Sequence, residues 1–178
     1  MKKIISALLF AVIILAASKV QAQTKTAYIS VNDMVSIMPE TALINGLLDR
    51  YKKDSIQPKY NELMALYEVN LKKYNDSLHT TAAVHKQLEE ELTPIYYQLQ
   101  NWDQITNQAV EAKQNELLTP IYRKVYDAIK QVAKEKGYAF VANKEAYLVA
   151  PVGDDLIVAV AAKLKVPLPK TVSAGLTK

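Results

Sequence analysis

The residue types that could perform chemistry are few in this chain, and they are scattered. It has two histidines, His79 and His85, and no cysteine. A metal site or an acid–base pair needs several groups that converge on one point, and two histidines six positions apart do not supply them. We therefore interpret both as solvated side chains on a helix. No catalytic residue, metal ligand or cofactor is predicted, and we expect the chain not to be an enzyme.

Two groups of neighbouring acidic residues resemble sites only superficially. Glu89, Glu90 and Glu91 are consecutive, and consecutive residues of an α-helix point about 100° apart, so a solvated face explains them. Asp154 and Asp155 could hold a cation, but a helix cap at Asp154 explains the pair better. The sequence also lacks a Walker-type glycine loop, which argues against nucleotide-driven work.

Aromatic residues are the more informative group, since the chain has 11 tyrosines and one tryptophan. A tyrosine offers a broad apolar ring at modest entropy cost while its hydroxyl stays hydrated, which suits weak contact with many partner sequences. Residues on a seam between paired helices are usually core, so those that point away from the seam are the better binding candidates. The candidates for partner contact are Tyr60, Tyr67, Tyr74, Ile95, Tyr96, Tyr97, Leu99 and Trp102.

The first 22 residues have the pattern of a secretory signal peptide. Two lysines follow Met1, an apolar run of 14 residues covers positions 4–17, and small residues precede a cleavage point after Ala22. A membrane-spanning helix needs about 20 apolar residues, so we expect cleavage and export rather than anchoring. Three lysines leave with the leader, so that 19 basic residues stand against 18 acidic ones. This near-neutral balance argues against nucleic-acid binding.

A long antiparallel helical hairpin is predicted over residues 41–136. Apolar and tyrosine residues recur every three or four positions over 60–78 and again over 88–102, as on the seam of a coiled coil. A polar interruption at 76–81, where threonines can cap a new helix, predicts the tip at which the chain reverses. Gly137 follows a lysine-rich turn, and this combination predicts a left-handed cap that ends the second helix.

The segments on either side of the hairpin, residues 23–40 and 137–168, are predicted to form a small β body. A closing helix is expected over about 155–165, and the last residues, 169–178, are expected to form a flexible tail. The fold class is therefore α+β, with a helical hairpin projecting from a small sheet. The predicted strands cover residues 27–31, 138–142 and 146–150.

Three short strands cannot close a core, because the sheet keeps open edges and one uncovered face. Association of several copies of the chain solves both problems, so we predict a homo-oligomer held together by the β segments. A lone two-helix hairpin also buries little apolar surface, which leaves it marginally stable. The oligomerisation candidates are Tyr28, Ile29, Val31, Phe140, Val141, Tyr147, Leu148 and Val149.

Prolines interrupt the predicted helices at Pro58, Pro94 and Pro120. A proline inside a helix loses one backbone hydrogen bond and costs about 3 kcal/mol unless the helix kinks or restarts there. In one interpretation, Thr93 and Thr119 cap helices that restart at the prolines that follow them. In the other, the three prolines are bending points that let the helices splay or close around a guest. The sequence leaves both interpretations open.

Long stretches of the chain resemble the Skp/OmpH-like periplasmic chaperones. The stretch AYISVNDMVSIMPE at 27–40 is similar to the strand, short helix and Met-Pro-Glu with which that family begins. The stretch LLTPIYRKVYDAIKQVAKEKGYAFV at 117–141 is similar to the family's segment that leads into the body. Asp154-Asp155-Leu156-Ile157 and the helix behind them are similar to its closing element. The resemblance covers essentially the whole chain after the leader.

This resemblance implies a homotrimer in the periplasm, with a small β body that completes itself by trimerisation and three helical tentacles that project from it around a cavity. It also implies an ATP-independent holdase, which keeps unfolded outer-membrane β-barrel proteins in the cavity and prevents their aggregation. Neither nucleic acid nor stable membrane insertion is expected. The alternative is a structural coiled-coil adaptor of the cell envelope, which would select one fixed folded partner instead of many unfolded chains.

Overall fold

We describe the fold from a computed structural model of the chain. The signal peptide predicted at 1–22, His79 and all but the first residue of the predicted tail lie outside the described residues. No helix in the described parts of the chain is both long and apolar enough to cross a membrane. The described residues are 24–76, 78, 80–150 and 152–169.

The elements divide between two compact units. The sheet unit combines the chain up to Val31 with the chain from Tyr126 onward, and the helix-pair unit consists of residues 32–125. In chain order, the elements are β1 (Thr26–Ile29), α1 (Val31–Ser36), α2 (Pro39–Ala42), α3 (Ile44–Tyr51), a π-helical turn (Lys52–Ile56), α4 (Gln57–Asn75), α5 (Ala82–Gln100), α6 (Trp102–Glu135), β2 (Phe140–Asn143), two 3-10 turns (Lys144–Ala146 and Val152–Asp154) and α7 (Ile157–Leu164).

The sheet unit contains two parallel strands, β1 and β2, in a register that sets Thr26 opposite Phe140 and Ile29 opposite Asn143. The other side of β1 is also used, because the carbonyl oxygen of Tyr28 accepts a hydrogen bond from the backbone N–H of Leu156 at 2.9 Å. Most of β1 is buried, and so are Leu156 and the inward face of α7. The core of this unit therefore forms around one short strand that has neighbours on both sides.

Helix α6 ends at the left-handed cap that the sequence predicts. Gly137 has φ = 72°, and the N–H of Tyr138 donates to the carbonyl oxygen of Ala133 at 2.9 Å, which is the pattern of a Schellman motif. The predicted cap at Asp154 is wrong, because Asp154 instead accepts a hydrogen bond from the Tyr138 hydroxyl at 2.9 Å. Asp155 precedes the N-cap residue Leu156 and accepts from the N–H of Ile157 at 3.0 Å. The helix begins at Ile157, two residues later than expected.

The third predicted strand, at 146–150, is not formed. The chain leaves the 3-10 turn Lys144–Ala146 and continues to residue 150 without regular structure, with Leu148 and Val149 almost fully exposed. A strand needs a hydrogen-bonding neighbour. Both sides of β1 are already occupied, by β2 and by the segment before α7, and residues 146–150 do not pair with the outer edge of β2. The other two strands are confirmed with shifted ends, since β1 stops at Ile29 and β2 starts two residues after Tyr138.

In the helix-pair unit, α4 and α5 pack together as antiparallel neighbours. Residues 76–81 separate them, where the sequence predicts the tip, and the Thr81 hydroxyl caps α5 by accepting from the N–H of Val84 at 3.4 Å. Residues late in α4 contact residues at the start of α5, and earlier residues of α4 contact later ones, as antiparallel packing requires. These ring contacts join Tyr74 to His85, Tyr67 to Tyr96 and Tyr60 to Trp102.

The interpretation of Thr-Pro steps as helix restarts is wrong for both Pro94 and Pro120. Each proline lies inside a helix that continues through it. The Thr93 hydroxyl donates to the carbonyl oxygen of Glu89 at 2.8 Å, and Thr119 makes the equivalent bond one turn back at 2.7 Å. A capping threonine would accept from N–H groups ahead of it, whereas these two satisfy carbonyl groups behind them.

The long helices are irregular at two other places, the turn before Pro58 and Asn101. Pro58 cannot donate the α-helical hydrogen bond to the carbonyl group of Asp54, and the preceding turn widens to the π form, in which the N–H of Gln57 donates to the carbonyl oxygen of Lys52. The second irregularity is Asn101, with φ = −98° and ψ = 16°, which separates α5 from α6.

Candidate functional site

The contact between α4 and α5 has a narrow apolar seam. Leu63 of α4 and Leu88, Leu92 and Ile95 of α5 are buried there. One polar group crosses the seam, because the buried Asn70 side-chain amide donates to a carboxylate oxygen of Glu91 at 3.3 Å. A pair of helices covers only one stripe of each member, so the residues beside the stripe stay accessible.

Tyrosine side chains beside this seam form an open groove of about 390 Å³. The rings of Tyr67 and Tyr96 lie 6.3 Å apart in a stacked arrangement, and Tyr97 meets Tyr96 edge to face at 6.0 Å. Tyr96 is 44% exposed and Tyr97 is 60% exposed, so part of each side chain is accessible to a ligand. The lining residues of this tyrosine groove are Tyr67, Leu71, Tyr74, Glu89, Leu92, Thr93, Tyr96 and Tyr97.

The groove unites four of the eight residues that the sequence predicts for partner contact, namely Tyr67, Tyr74, Tyr96 and Tyr97. Ile95 points into the buried seam, with 7% exposure. The remaining candidates lie outside the groove lining. Tyr60 and Trp102 form a pair of half-buried rings with centroids 5.4 Å apart, and Leu99 is half-buried on α5.

Sequence reasoning missed the contribution of Glu89 and Thr93 to the groove, because it treated Glu89 as part of a solvated face. A signal was available in the spacing. Glu89, Thr93 and Tyr97 recur every four positions, which places them on one face of a helix. The register of α5 against α4 decides that this face borders the groove, and that register cannot be read from one helix alone.

A second apolar cleft, of about 330 Å³, surrounds Pro120 in the helix-pair unit. Leu43 and Leu47 expose apolar surface there. At its margin the Lys124 ammonium donates to a carboxylate oxygen of Glu40 at 2.5 Å. This hydrogen bond from Lys124 lowers the pKa of Glu40 below its ordinary value, and a backbone hydrogen bond assists it.

In the sheet unit, a groove of about 560 Å³ lies beside β2 and the last turns of α6. Burial, assisted by the hydrogen bond to Asp154, raises the pKa of the Tyr138 hydroxyl at its wall. The eight predicted oligomerisation residues separate into three groups. Tyr28, Ile29 and Val31 are buried within the chain, Val141 is half-buried, and Phe140, Tyr147, Leu148 and Val149 are exposed.

The geometry defines a mostly helical α+β protein with a small parallel sheet and an aromatic groove on a helix pair. No cluster of metal-ligating side chains occurs in the described residues. The family model OmpH, described as "Outer membrane protein (OmpH-like)", matches residues 25–164. The chain therefore belongs to the OmpH-like family, which confirms the resemblance found in its sequence.

One solved structure with a similar fold is that of an OmpH-like protein from Caulobacter crescentus CB15, described as a candidate outer membrane chaperone and determined at 2.83 Å resolution. The two chains have a TM-score of 0.53 and 17% sequence identity, over 80% of this chain and 85% of that one. At this identity the likeness concerns the fold. No curated protein sequence matches the chain.

Proposed function

We propose that this protein is an ATP-independent periplasmic holdase, which binds unfolded outer-membrane β-barrel proteins and prevents their aggregation. The tyrosine groove is the observation that carries the proposal. Its rings are exposed on the surface of a helix pair in a chain of the OmpH-like family. Exposed aromatic faces of this kind bind apolar segments of an unfolded chain without requiring one particular sequence.

Each groove is too open to hold a polypeptide tightly on its own, so retention requires several grooves that act on one client. We propose that three copies associate and that their helix pairs enclose the client in a cavity. Binding at three sites raises the overall affinity through effective concentration, while each contact remains individually reversible. The client therefore leaves without ATP when a better partner, such as the assembling membrane barrel, becomes accessible.

The exposed apolar side chains of the sheet unit support association of copies. Phe140 is 64% exposed on β2, and the segment that carries Leu148 and Val149 has no strand partner in the described chain. An unpaired apolar segment beside a two-stranded sheet is the kind of surface that strand addition from another copy would cover. Tyr28, Ile29 and Val31 would then act as the core that positions this surface.

The direct test is an aggregation assay with the chain that begins at residue 23. A urea-unfolded outer-membrane β-barrel protein is diluted into buffer with or without the purified protein, at one trimer per client and without ATP, and light scattering is recorded. We expect the protein to suppress scattering. Unchanged aggregation would overturn the proposed function, and a native mass equal to one chain would overturn the trimer.

A variant pair connects the activity to the groove. Tyr96→Ser with Tyr97→Ser removes two exposed rings from the groove, and we expect it to lose most of the suppression. The matched control is Leu66→Ser with Val69→Ser, which removes two exposed apolar side chains of α4 that do not line the groove. A pull-down from envelope extract distinguishes the holdase from the structural adaptor. A single stoichiometric folded partner would indicate an adaptor.

A further inference from the structure

One carboxylate of the tyrosine groove has no partner. The side chain of Glu89 makes neither a hydrogen bond nor an ion pair with any described residue, whereas both neighbours are engaged. Glu90 pairs with Lys86 at 4.0 Å. Glu91 accepts from Asn70 and from the Gln87 amide at 2.9 Å. Glu89 is therefore the member of this acidic run whose charge remains available at the rim of an aromatic groove.

The groove contains no positive charge of its own. Its lining has four tyrosines, two leucines, one threonine and Glu89, without a lysine or arginine. Lys72 and Lys73 lie in the last turn of α4, but neither contributes to the lining. Tyrosine ring faces carry negative electrostatic potential, which attracts a cation. The rings and the carboxylate thus favour the same kind of occupant, a side chain with an apolar stem and a cationic head.

We propose that the tyrosine groove is a subsite for an arginine side chain of an extended polypeptide. Its guanidinium group would stack on the Tyr96 ring and meet the Glu89 carboxylate, while Leu92 contacts the aliphatic stem. This inference rests on the proposed function, because it names the client feature that the groove selects. Arginine suits the site better than lysine, since a planar, weakly hydrated guanidinium stacks on rings and presents paired donors to a carboxylate.

The test uses three short peptides of alternating apolar and polar residues that differ only at the central position, which is arginine, citrulline or lysine. Citrulline keeps the shape of arginine without its charge. Binding to the intact mature protein is measured by isothermal titration calorimetry at low salt. We expect the arginine peptide to bind about fivefold more tightly than the citrulline peptide, as an exposed cation–π contact with an ion pair supplies. Added salt should reduce this difference in affinity between the arginine and citrulline peptides.

Two variants locate the effect. Glu89→Gln should reduce the arginine preference to the part that the Tyr96 ring supplies, and it should leave the affinity for the citrulline peptide unchanged. Glu90→Gln makes the same change of charge at the adjacent position outside the groove, so the fivefold preference should persist. Equal affinity of the two peptides for the wild type, an unchanged preference in Glu89→Gln, or no binding of any peptide up to its solubility limit would each overturn the subsite.

Failure of the subsite can be told apart from failure of the proposed function. If the wild-type protein and Glu89→Gln both suppress aggregation of the barrel protein while neither distinguishes arginine from citrulline, the groove binds apolar clients without a charge preference, and the arginine inference is wrong. If the wild type does not suppress aggregation at all, the holdase function itself fails.

Discussion

The sheet unit and the α4–α5 pair use apolar residues in opposite ways. In the sheet unit, Ile29, Leu156 and Val160 are at most 2% exposed, because strand, helix and loop surround them from several sides. In the α4–α5 pair, Leu63, Leu92 and Ile95 keep 7–8% exposure, and tyrosines beside them are about half exposed. Stability is therefore concentrated where water is excluded, while apolar surface is left accessible where only two helices meet.

The largest expected effect tests that contrast by core truncation. Ile29→Ala should lower the free energy of unfolding by about 2–4 kcal/mol, because it leaves a cavity among fully buried neighbours. Leu92→Ala should cost about 1–2 kcal/mol, since the seam beside the groove can relax and admit water. Urea unfolding followed by circular dichroism measures both. Equal losses at the two positions would contradict the contrast between the sheet unit and the α4–α5 pair.

Two glycines give a sharper comparison, because substitution by alanine should lower the stability of the protein at one and raise it at the other. Gly137→Ala places a side chain at φ = 72° and should destabilise the protein by about 1 kcal/mol. Gly46 lies exposed inside α3, and a Cβ there meets nothing within 4 Å, so Gly46→Ala should stabilise by about 0.5–1 kcal/mol. Thermal unfolding should show melting temperatures that move apart. A rise in melting temperature for both variants would mean that alanine is not strained at the cap of α6.

Thr81→Ala examines local stability at the end of the helix pair. Loss of the hydroxyl that accepts from the Val84 N–H removes the cap of α5, which is typically worth about 1 kcal/mol. We expect faster amide exchange in the first turns of α5 and unchanged exchange in β1. The control is Thr119→Ala, whose hydroxyl caps nothing. Equal acceleration in the strand would show that the two units unfold as one.

The smallest effect concerns the Glu40–Lys124 pair. Because Lys124 lowers the pKa of Glu40, the pair's stabilisation is present above the ordinary glutamate pKa of about 4.3 and is lost as the pH falls through the lowered value. Both side chains are about half exposed, so the contribution should stay below about 1 kcal/mol.

The difference in unfolding free energy between the wild type and Lys124→Met should therefore be larger at neutral pH than near pH 3. Lys53→Met, at a lysine without an ion pair in the described chain, is the control. A difference that does not change with pH would contradict a role for the ionised Glu40.

Local signals in the sequence predicted the parts of the fold that depend on local chemistry. Gly137 ends α6 and Thr81 starts α5 as expected, because a cap needs only a few neighbouring residues. The predicted strand at 146–150 failed for a non-local reason, since its β-prone residues do not pair with the outer edge of β2, which has no partner in the described chain. At Pro94 the helix is intact in spite of the low helix propensity of proline.

In the candidate site, too, the sequence predicted what local spacing determines and missed what depends on packing between helices. The three- and four-residue spacing predicted that tyrosines share a stripe on the helices. It could not distinguish Ile95, which is buried in the seam, from Tyr96, which opens into the groove, because that difference depends on the register between α4 and α5. The sequence did not predict the position of Glu89 in the groove, because that position also depends on the register between α4 and α5.

The π-helical turn Lys52–Ile56 has a consequence for how this protein tolerates changes in length. Such a turn accommodates one residue more than a continuous α-helix does. Deletion of one of the four residues between Lys52 and Gln57 would let these same two residues make an α-helical hydrogen bond, so that α4 would keep its orientation relative to α3. A deletion in the regular part of α4 between Pro58 and Tyr67 has no such compensation and would rotate Tyr67 and Tyr74 by about 100°, so the π turn is the place in this arm where a change of chain length leaves the binding face in position.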